Sequence, residues 1–237
     1  YVAFADKCWP AFPEQFGFEP CFVNSRLAAR GIPVSCEVDI YGALSEYIGA
    51  CITGDAVTLL DINNSVPQYI YNEDIAGKFD YKLTDTFMGF HCGNTPSCKL
   101  CENHGVKYQL IQHRLLEPAG SEPDFTRGTL EGDIAPSDIT FYRLQCDSEG
   151  TLRAYVAQGE VLPVATRSFG GIGIFAIPEM GRFYRHVLIQ KRYPHHGAVA
   201  FAHCGKALFE VLKYFGVSDI AYNQPKSLPY PTENPFA

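Results

Sequence analysis

Ser35-Cys36-Glu37-Val38-Asp39-Ile40-Tyr41-Gly42-Ala43-Leu44, followed by Leu59-Leu60-Asp61-Ile62-Asn63-Asn64, is the stretch that decides how this chain folds. From Glu37 onward the apolar residues Ile40, Tyr41, Leu44, Tyr47, Ile48 and Cys51 recur at helical spacing, and Gly54 supplies a helix stop. Ala56-Val57-Thr58-Leu59-Leu60 is then a continuous apolar run of strand length that ends at Asp61. This is α/β logic, in which functional groups gather at the carboxyl ends of strands. It puts Glu37 in the first turn of a helix and Asp61 at the end of the next strand. Far downstream, Pro194-His195-His196-Gly197 opens another strand. Two carboxylates and an imidazole converging from separate elements form the donor set of a divalent-metal site with acid/base capacity. Each residue alone has a plainer reading: Glu37 as a partner of the helix dipole, Asp61 as an Asx-turn residue, His196 as a loop histidine. The case rests on the three together.

Working outward, residues 1–65 alternate strand and helix signals and read as the end of an α/β domain. The short runs 126–130, 138–145, 151–161 and 183–190 are rich in β-branched and aromatic residues and punctuated by Gly, Pro, Asp and Ser. They predict a β-rich, barrel-like or sandwich-like domain over 66–237. A strand at 198–201, a helix at 206–215 stopped by Gly216 and a strand at 220–222 follow, and the Pro-rich tail from Lys226 is expected on the surface. The fold class is therefore mixed α+β: an α/β segment, then a β-rich barrel-like C-terminal domain with a helix near the C-terminus. Gly170-Gly171-Ile172-Gly173 lacks the Lys-Ser/Thr of a phosphate loop and reads as a bend in the β domain.

The 237 residues carry a formal net charge of −7 and no basic run, which argues against a nucleic-acid partner. No apolar run has transmembrane length and no signal-peptide pattern is present, so no membrane partner is expected. Nine cysteines, an odd number scattered through apolar segments, read as reduced thiols of a cytoplasmic protein. Cys98 and Cys101 form a CxxC with Cys92 upstream and His104 downstream, a composition that fits structural zinc. The tight loops and the lack of a second CxxC favour reduced loop cysteines instead. His91 closes a predicted strand and is a candidate for the active-site wall. The chain begins at Tyr1 in what reads as a strand already in progress, so further chain is expected before it.

These residues resemble the L-fucose isomerase family. The resemblance is carried by the segment around Glu37, by Leu59-Leu60-Asp61-Ile62-Asn63-Asn64 and by His196-Gly197. Lys7-Cys8-Trp9-Pro10, Phe90-His91-Cys92-Gly93-Asn94 and the segment 128–133 extend it over essentially the whole chain. The resemblance implies interconversion of aldose and ketose sugars with Mn2+, or with Mg2+ or Co2+ in its place. It implies a Glu, Asp and His as metal ligands, here Glu37, Asp61 and His196, the last preferred to His195 because it directly precedes Gly197. The two carboxylates would also serve as base and acid. Related L-arabinose isomerases add a second histidine ligand, for which His91 is the counterpart. Trp9, His195 and Asn63 are expected near the sugar, although plain core packing is the simpler role for Trp9. Family subunits have two N-terminal α/β domains and a C-terminal β-rich one, and are commonly hexameric. A homo-oligomer with a small sugar substrate follows, the sugar being fucose, arabinose or a related pentose or deoxyhexose. A piece lacking the N-terminal domains would keep the ligands and lose part of the sugar pocket. The alternative is a non-catalytic sugar-binding or assembly module derived from the same family, which has no need for the three residues to converge.

Overall fold

The computed structural model describes residues 1–108, 118–122 and 124–234. Phe4–Ala5 (β1) pairs in parallel with Val34–Ser35 (β2), and the crossover between them carries the helices Ala11–Phe16 (α1) and Cys21–Ala28 (α2). Ile40–Thr53 (α3) follows, capped by Asp39, whose side chain accepts from the Gly42 N–H at 2.8 Å, and closed by Gly54 in the left-handed region. The helix therefore starts later than its apolar spacing suggests. Glu37 lies before the cap, at φ 63, outside the first turn.

The remaining strands build one large sheet. Val57–Asn64 (β3) is flanked by Thr86–His91 (β4) on one side and His196–Ala200 (β10) on the other. Gly105–Lys107 (β5), Thr129–Asp133 (β6), Ser137–Cys146 (β7), Leu152–Val161 (β8), Gly171–Ala176 (β9) and Asp219–Tyr222 (β11) complete it. Glu160 and Val161 of β8 also pair with Ala176 and Phe175 of β9. The strands β7, β10, β3, β4, β9 and β8 thus close into an antiparallel ring, the barrel-like form expected from the alternating runs. Closure removes the unpaired edges that an open sheet would expose. β3, which precedes residue 65, is hydrogen-bonded on both sides to strands that follow it.

Among the described residues the buried side chains gather in three clusters, and period-two alternation separates the two that flank β3 and β10. Leu60, Phe87, Ile139, Phe141, Tyr155, Phe175 and Val199 form one cluster. Val57, Tyr142, Leu144, Val156, Ala198 and Ala200 form another with Leu208 and Leu212 of the amphipathic helix Gly205–Tyr214. Each fully buried large side chain contributes roughly 1.5–3 kcal/mol. α3 lies close on this second face, and its glycines permit the approach. A Cβ at Gly49 would sit 1.8 Å from the Tyr142 hydroxyl, and one at Gly42 would sit 2.7 Å from the Asp39 carboxyl.

Two segments depart from the sequence reading. The run 183–190 is not a strand: Met180–Phe183 is helical and Tyr184–Ile189 continues as a π-turn, burying Phe183, Val187 and Leu188. Those positions satisfy a helical face as well as a β-branched pattern, and a short apolar run does not separate the two. Gly171-Ile172-Gly173 is not merely a bend, because it opens the buried strand β9; only Gly170, at φ 87, is turn-like.

Within α3, Glu46 is 1 % exposed and accepts a short hydrogen bond from the Ser35 hydroxyl. Burial pushes its carboxyl from the ordinary 4.5 up to about 8. Between those values the folded protein holds a proton that the unfolded chain has lost, so stability falls as pH rises through this window. Glu46→Gln is expected to remove that slope and to raise stability near pH 8 by on the order of 2–4 kcal/mol. Thermal melts of both proteins at about pH 6 and pH 8 check this, and parallel behaviour of the two would contradict it.

Candidate metal centre

The site begins with strand register. His196, the first residue of β10, lies directly opposite Asp61 of β3, so their side chains share one face. The His195 carbonyl accepts from the Ile62 N–H at 2.9 Å and extends this pairing beyond the strand. His196 is 5 % exposed. Its Nε2 lies 3.0 Å from Asp61 Oδ1 but off the line a hydrogen bond requires, and both atoms are buried without a hydrogen-bond partner. Glu37 approaches the same nitrogen, its Oε2 3.6 Å from His196 Nε2 on a side chain 56 % exposed, but its donor group within 4.8 Å is with His195 and His196, whereas that of Asp61 is with His91 and His196.

The opposite nitrogen of His196 fixes the ring. Nδ1 is 2.8 Å from Asp39 Oδ2, and Asp39 in turn receives Arg143 at 2.7 and 2.8 Å through two guanidinium nitrogens. With Nδ1 protonated toward Asp39, neutral His196 presents its Nε2 lone pair to Asp61 and Glu37, the arrangement a metal-binding imidazole needs. Burial alone would raise the Asp39 carboxyl, but the His196 and Arg143 hydrogen bonds hold it well below the usual carboxylate range. Burial likewise opposes the His196 cation, yet the Asp39 and Asp61 carboxylates outweigh it and push the imidazole up to about 9. Asp61 is lowered overall, because His196 and the neighbouring imidazoles outweigh its burial. A cation held here would have to displace the His196 proton.

The backbone under Glu37 is strained. Glu37 and Val38 both adopt left-handed φ, at 63 and 58, and a β-branched residue rarely does so. The turn is held by the Val38 N–H on the Asp6 carbonyl at 2.8 Å and by the Asp39 N–H on the Cys36 carbonyl at 3.2 Å. Strain of this kind gathers at functional sites.

The other candidates divide. His91 is 3 % exposed; it offers a nitrogen that lies within 4.8 Å of donor atoms on Asp61 and His196. Its ring is 5.8 Å from that of His196. His91 Nδ1 accepts from the Cys92 N–H at 3.1 Å, while Nε2 is buried without a partner. His195 is at the rim, with Nε2 3.5 Å from Asp61 Oδ1 and a side chain 58 % exposed. Trp9 is partly exposed, not core, and adjoins the buried Cys8. Asn63 lines a cavity of about 450 Å³ with Ile62, Thr84, Phe87 and Met180, and none of Glu37, Asp61 or His196 lines it. Among the described residues, three groups of His, Cys, Asp and Glu bring donor atoms within 4.8 Å, and Cys98, Cys101 and His104 belong to none of them. Asp39 and Arg143 were missed from the sequence. The signal for Asp39 was an Asp immediately before the helical apolar series, the usual N-cap pattern.

A closed β-barrel carrying a carboxylate–imidazole cluster at the N-terminus of a packed helix is the class of domain that fold and site define. Residues 89–222, more than half of the chain, match the family described as L-fucose isomerase, C-terminal domain, and the chain belongs to that family. His91 and His196 fall inside the matched range, Glu37 and Asp61 before it. The chain is also similar to the sulfoquinovose isomerase of Alkalicoccus urumqiensis, 24 % identical over 91 % of this chain and 43 % of that protein. Similar enzymes of the same name occur in Clostridium sp. (strain MSTE9), 26 % identical over 75 % of this chain and 34 % of that protein, and in Priestia aryabhattai, 31 % identical over 60 % and 36 %. The chain thus spans about a third to two fifths of the curated relatives it matches. Among the described residues, no helix is long and apolar enough to cross a membrane.

Asp39→Asn, which keeps the side chain's shape but weakens its hold on His196, is expected to lower divalent-cation affinity roughly 10–100-fold. Calorimetry with Mn2+ as probe reads this directly, and an unchanged affinity would count against the orienting role.

Proposed function

We propose that this chain carries the metal-binding part of an aldose–ketose isomerase, with Glu37, Asp61 and His196 as the ligands of a Mn2+-type divalent cation. The observation that carries the proposal is the juxtaposition of Asp61 Oδ1 and His196 Nε2 at 3.0 Å, buried and not hydrogen-bonded, with Glu37 3.6 Å from the same nitrogen. Two oxygens and one imidazole suit Mn2+, Mg2+ or Co2+. A bound cation of this type supplies Lewis-acid polarisation of the sugar carbonyl.

The chain's own groups handle the protons. Moving the carbonyl from C1 to C2 takes a proton from C2, returns one to C1 and transfers the hydroxyl proton from O2 to O1. Glu37, the exposed carboxylate, is suited to carry the carbon-bound proton, and Asp61, deeper in the cluster, the hydroxyl proton. His196 keeps its Nδ1 proton on Asp39 throughout and does not compete as a base. His91, with Nδ1 accepting from Cys92, carries its proton on Nε2; this form donates to a sugar oxygen instead of ligating a cation. His195 and Trp9 belong to the rim that meets the sugar, while the separate cavity removes the support for Asn63 there.

The relatives' printed name makes sulfoquinovose the first substrate to try, ahead of fucose and arabinose. Homo-oligomerisation and a cytoplasmic setting belong to the same reading. Exposed apolar side chains at Phe16, Phe22, Val23, Ile40 and Leu44 support the first. The parallel β1–β2 pair with its crossover helices supports an α/β domain ending in the N-terminal part of the chain.

In the complete subunit, Glu37→Gln is expected to lower isomerisation by roughly 10²–10⁴-fold with the fold intact. Aldose–ketose conversion followed from both directions reads it, and near-normal turnover would remove Glu37 from the mechanism.

A further inference from the structure

A second group of donors lies one residue from Glu37 and plays no part in the chemistry above. Asp6 follows β1 and Cys36 follows β2, and the parallel register Phe4↔Val34, Ala5↔Ser35 carries the two side by side. The Asp6 N–H on the Ser35 carbonyl at 2.9 Å continues that pairing. Cys8 joins them: the sulfurs of Cys8 and Cys36 and a carboxylate oxygen of Asp6 all lie within 4.8 Å of one another. Cys36 is 1 % exposed and Cys8 is 8 % exposed.

Three observations point to a cation. Asp6 Oδ2 accepts from Asn24 Nδ2 at 2.8 Å, whereas Oδ1 is buried with no hydrogen-bond partner. A buried carboxylate oxygen left in this way costs free energy that a positive charge would recover. The sulfurs of Cys8 and Cys36, both buried, lie within 4.8 Å of each other and of an Asp6 carboxylate oxygen. Two buried thiols beside a carboxylate supply thiolate ligands when a cation displaces their protons. Finally, the donor set is chemically unlike that of Glu37, Asp61 and His196: two sulfurs and one oxygen select a soft ion, two oxygens and one nitrogen a harder one.

We propose that Asp6, Cys8 and Cys36 form a second cation site, for a thiolate-binding divalent ion such as Zn2+, which holds the β1–β2 ends together and pins the strained turn that presents Glu37. Three protein ligands leave one tetrahedral position for water. The proposal does not depend on the isomerase reading, because its readout is sulfur coordination and not turnover.

The test is titration of the reduced, metal-free chain with Co2+. A sulfur-to-cobalt charge-transfer absorption is expected to saturate at one equivalent. It should persist in Asp61→Asn, which disables the carboxylate–imidazole site, and disappear in Cys8→Ser. Asp6→Asn is nearly isosteric and keeps the Asn24 contact, so it tests the site even if Cys8→Ser fails to fold; it should weaken the band's apparent affinity at least about tenfold. Three results would overturn the proposal: no sulfur band in the wild type, a band that survives in folded Cys8→Ser and therefore arises from other cysteines, or an affinity indifferent to Asp6→Asn.

Discussion

The Asp39 carboxylate is the interaction on which the rest of this site depends. One side chain caps α3 through the Gly42 N–H, receives two nitrogens of Arg143 from β7 and holds Nδ1 of His196 on β10. Three elements remote in sequence are thereby tied at one point. The Arg143 and Asp39 side chains are only 5 % and 10 % exposed, so neither charge is satisfied by water if the other is withdrawn. Breaking such a buried pair typically costs about 3–5 kcal/mol, because a lone charge is left behind. The pairing therefore fixes where α3 starts and, with it, how closely the Glu37 turn approaches the barrel.

The barrel supplies what a single ion pair does not, which is register. His196 faces Asp61 because β10 and β3 run antiparallel with Gly197 opposite Leu60. A slip of one residue would move His196 to the other face. Gly197 itself has no room for a side chain, since a Cβ there would lie 2.2 Å from the Phe141 ring. The His196-Gly197 pair is thus explained by two constraints at once: an imidazole on the outer face and an empty position over an aromatic core. Beyond Asp61 the pairing of β3 with β4 shifts between Ile62 and Asn64. A bulge of this kind re-aims the residues that follow it, in keeping with Asn63 lining a different cavity.

Much of this was legible in the sequence, and the reasons differ by residue. The helix with its Gly54 stop and the strands over 138–145 and 151–161 were readable because their periodicity is long and unambiguous. The 183–190 run was too short for periodicity to decide between helix and strand. Glu37 was expected inside the helix because the apolar series begins beside it, but the cap chemistry of Asp39 overrides that series and leaves Glu37 in a left-handed turn. Arg143 was unreadable for a different reason. It is a charged residue in the middle of an apolar strand, and only the fold reveals that its partner is a helix cap 104 positions earlier. Closure of the barrel depends on two residue pairs between β8 and β9, which no local pattern specifies.

The charge balance of the cluster is what would favour a cation there. Glu37, Asp39 and Asp61 bring three negative charges together, and Arg143 neutralises Asp39 alone. With a neutral imidazole, the remaining pair of carboxylates carries two unbalanced charges. The protein meets part of this deficit by holding a proton on His196 up to about 9, well above the ordinary histidine value. That proton is a substitute for a stronger positive charge at the same place: it sits where Asp61 converges and is confined there by the ring orientation that Asp39 imposes. A divalent ion would remove the whole deficit where the proton removes half of it. Asp61 Oδ1 and His196 Nε2, 3.0 Å apart and not hydrogen-bonded to each other, are the atoms that would hold it. Anchoring His196 on the side away from the cluster is therefore what would keep its lone pair available to a metal in place of the proton.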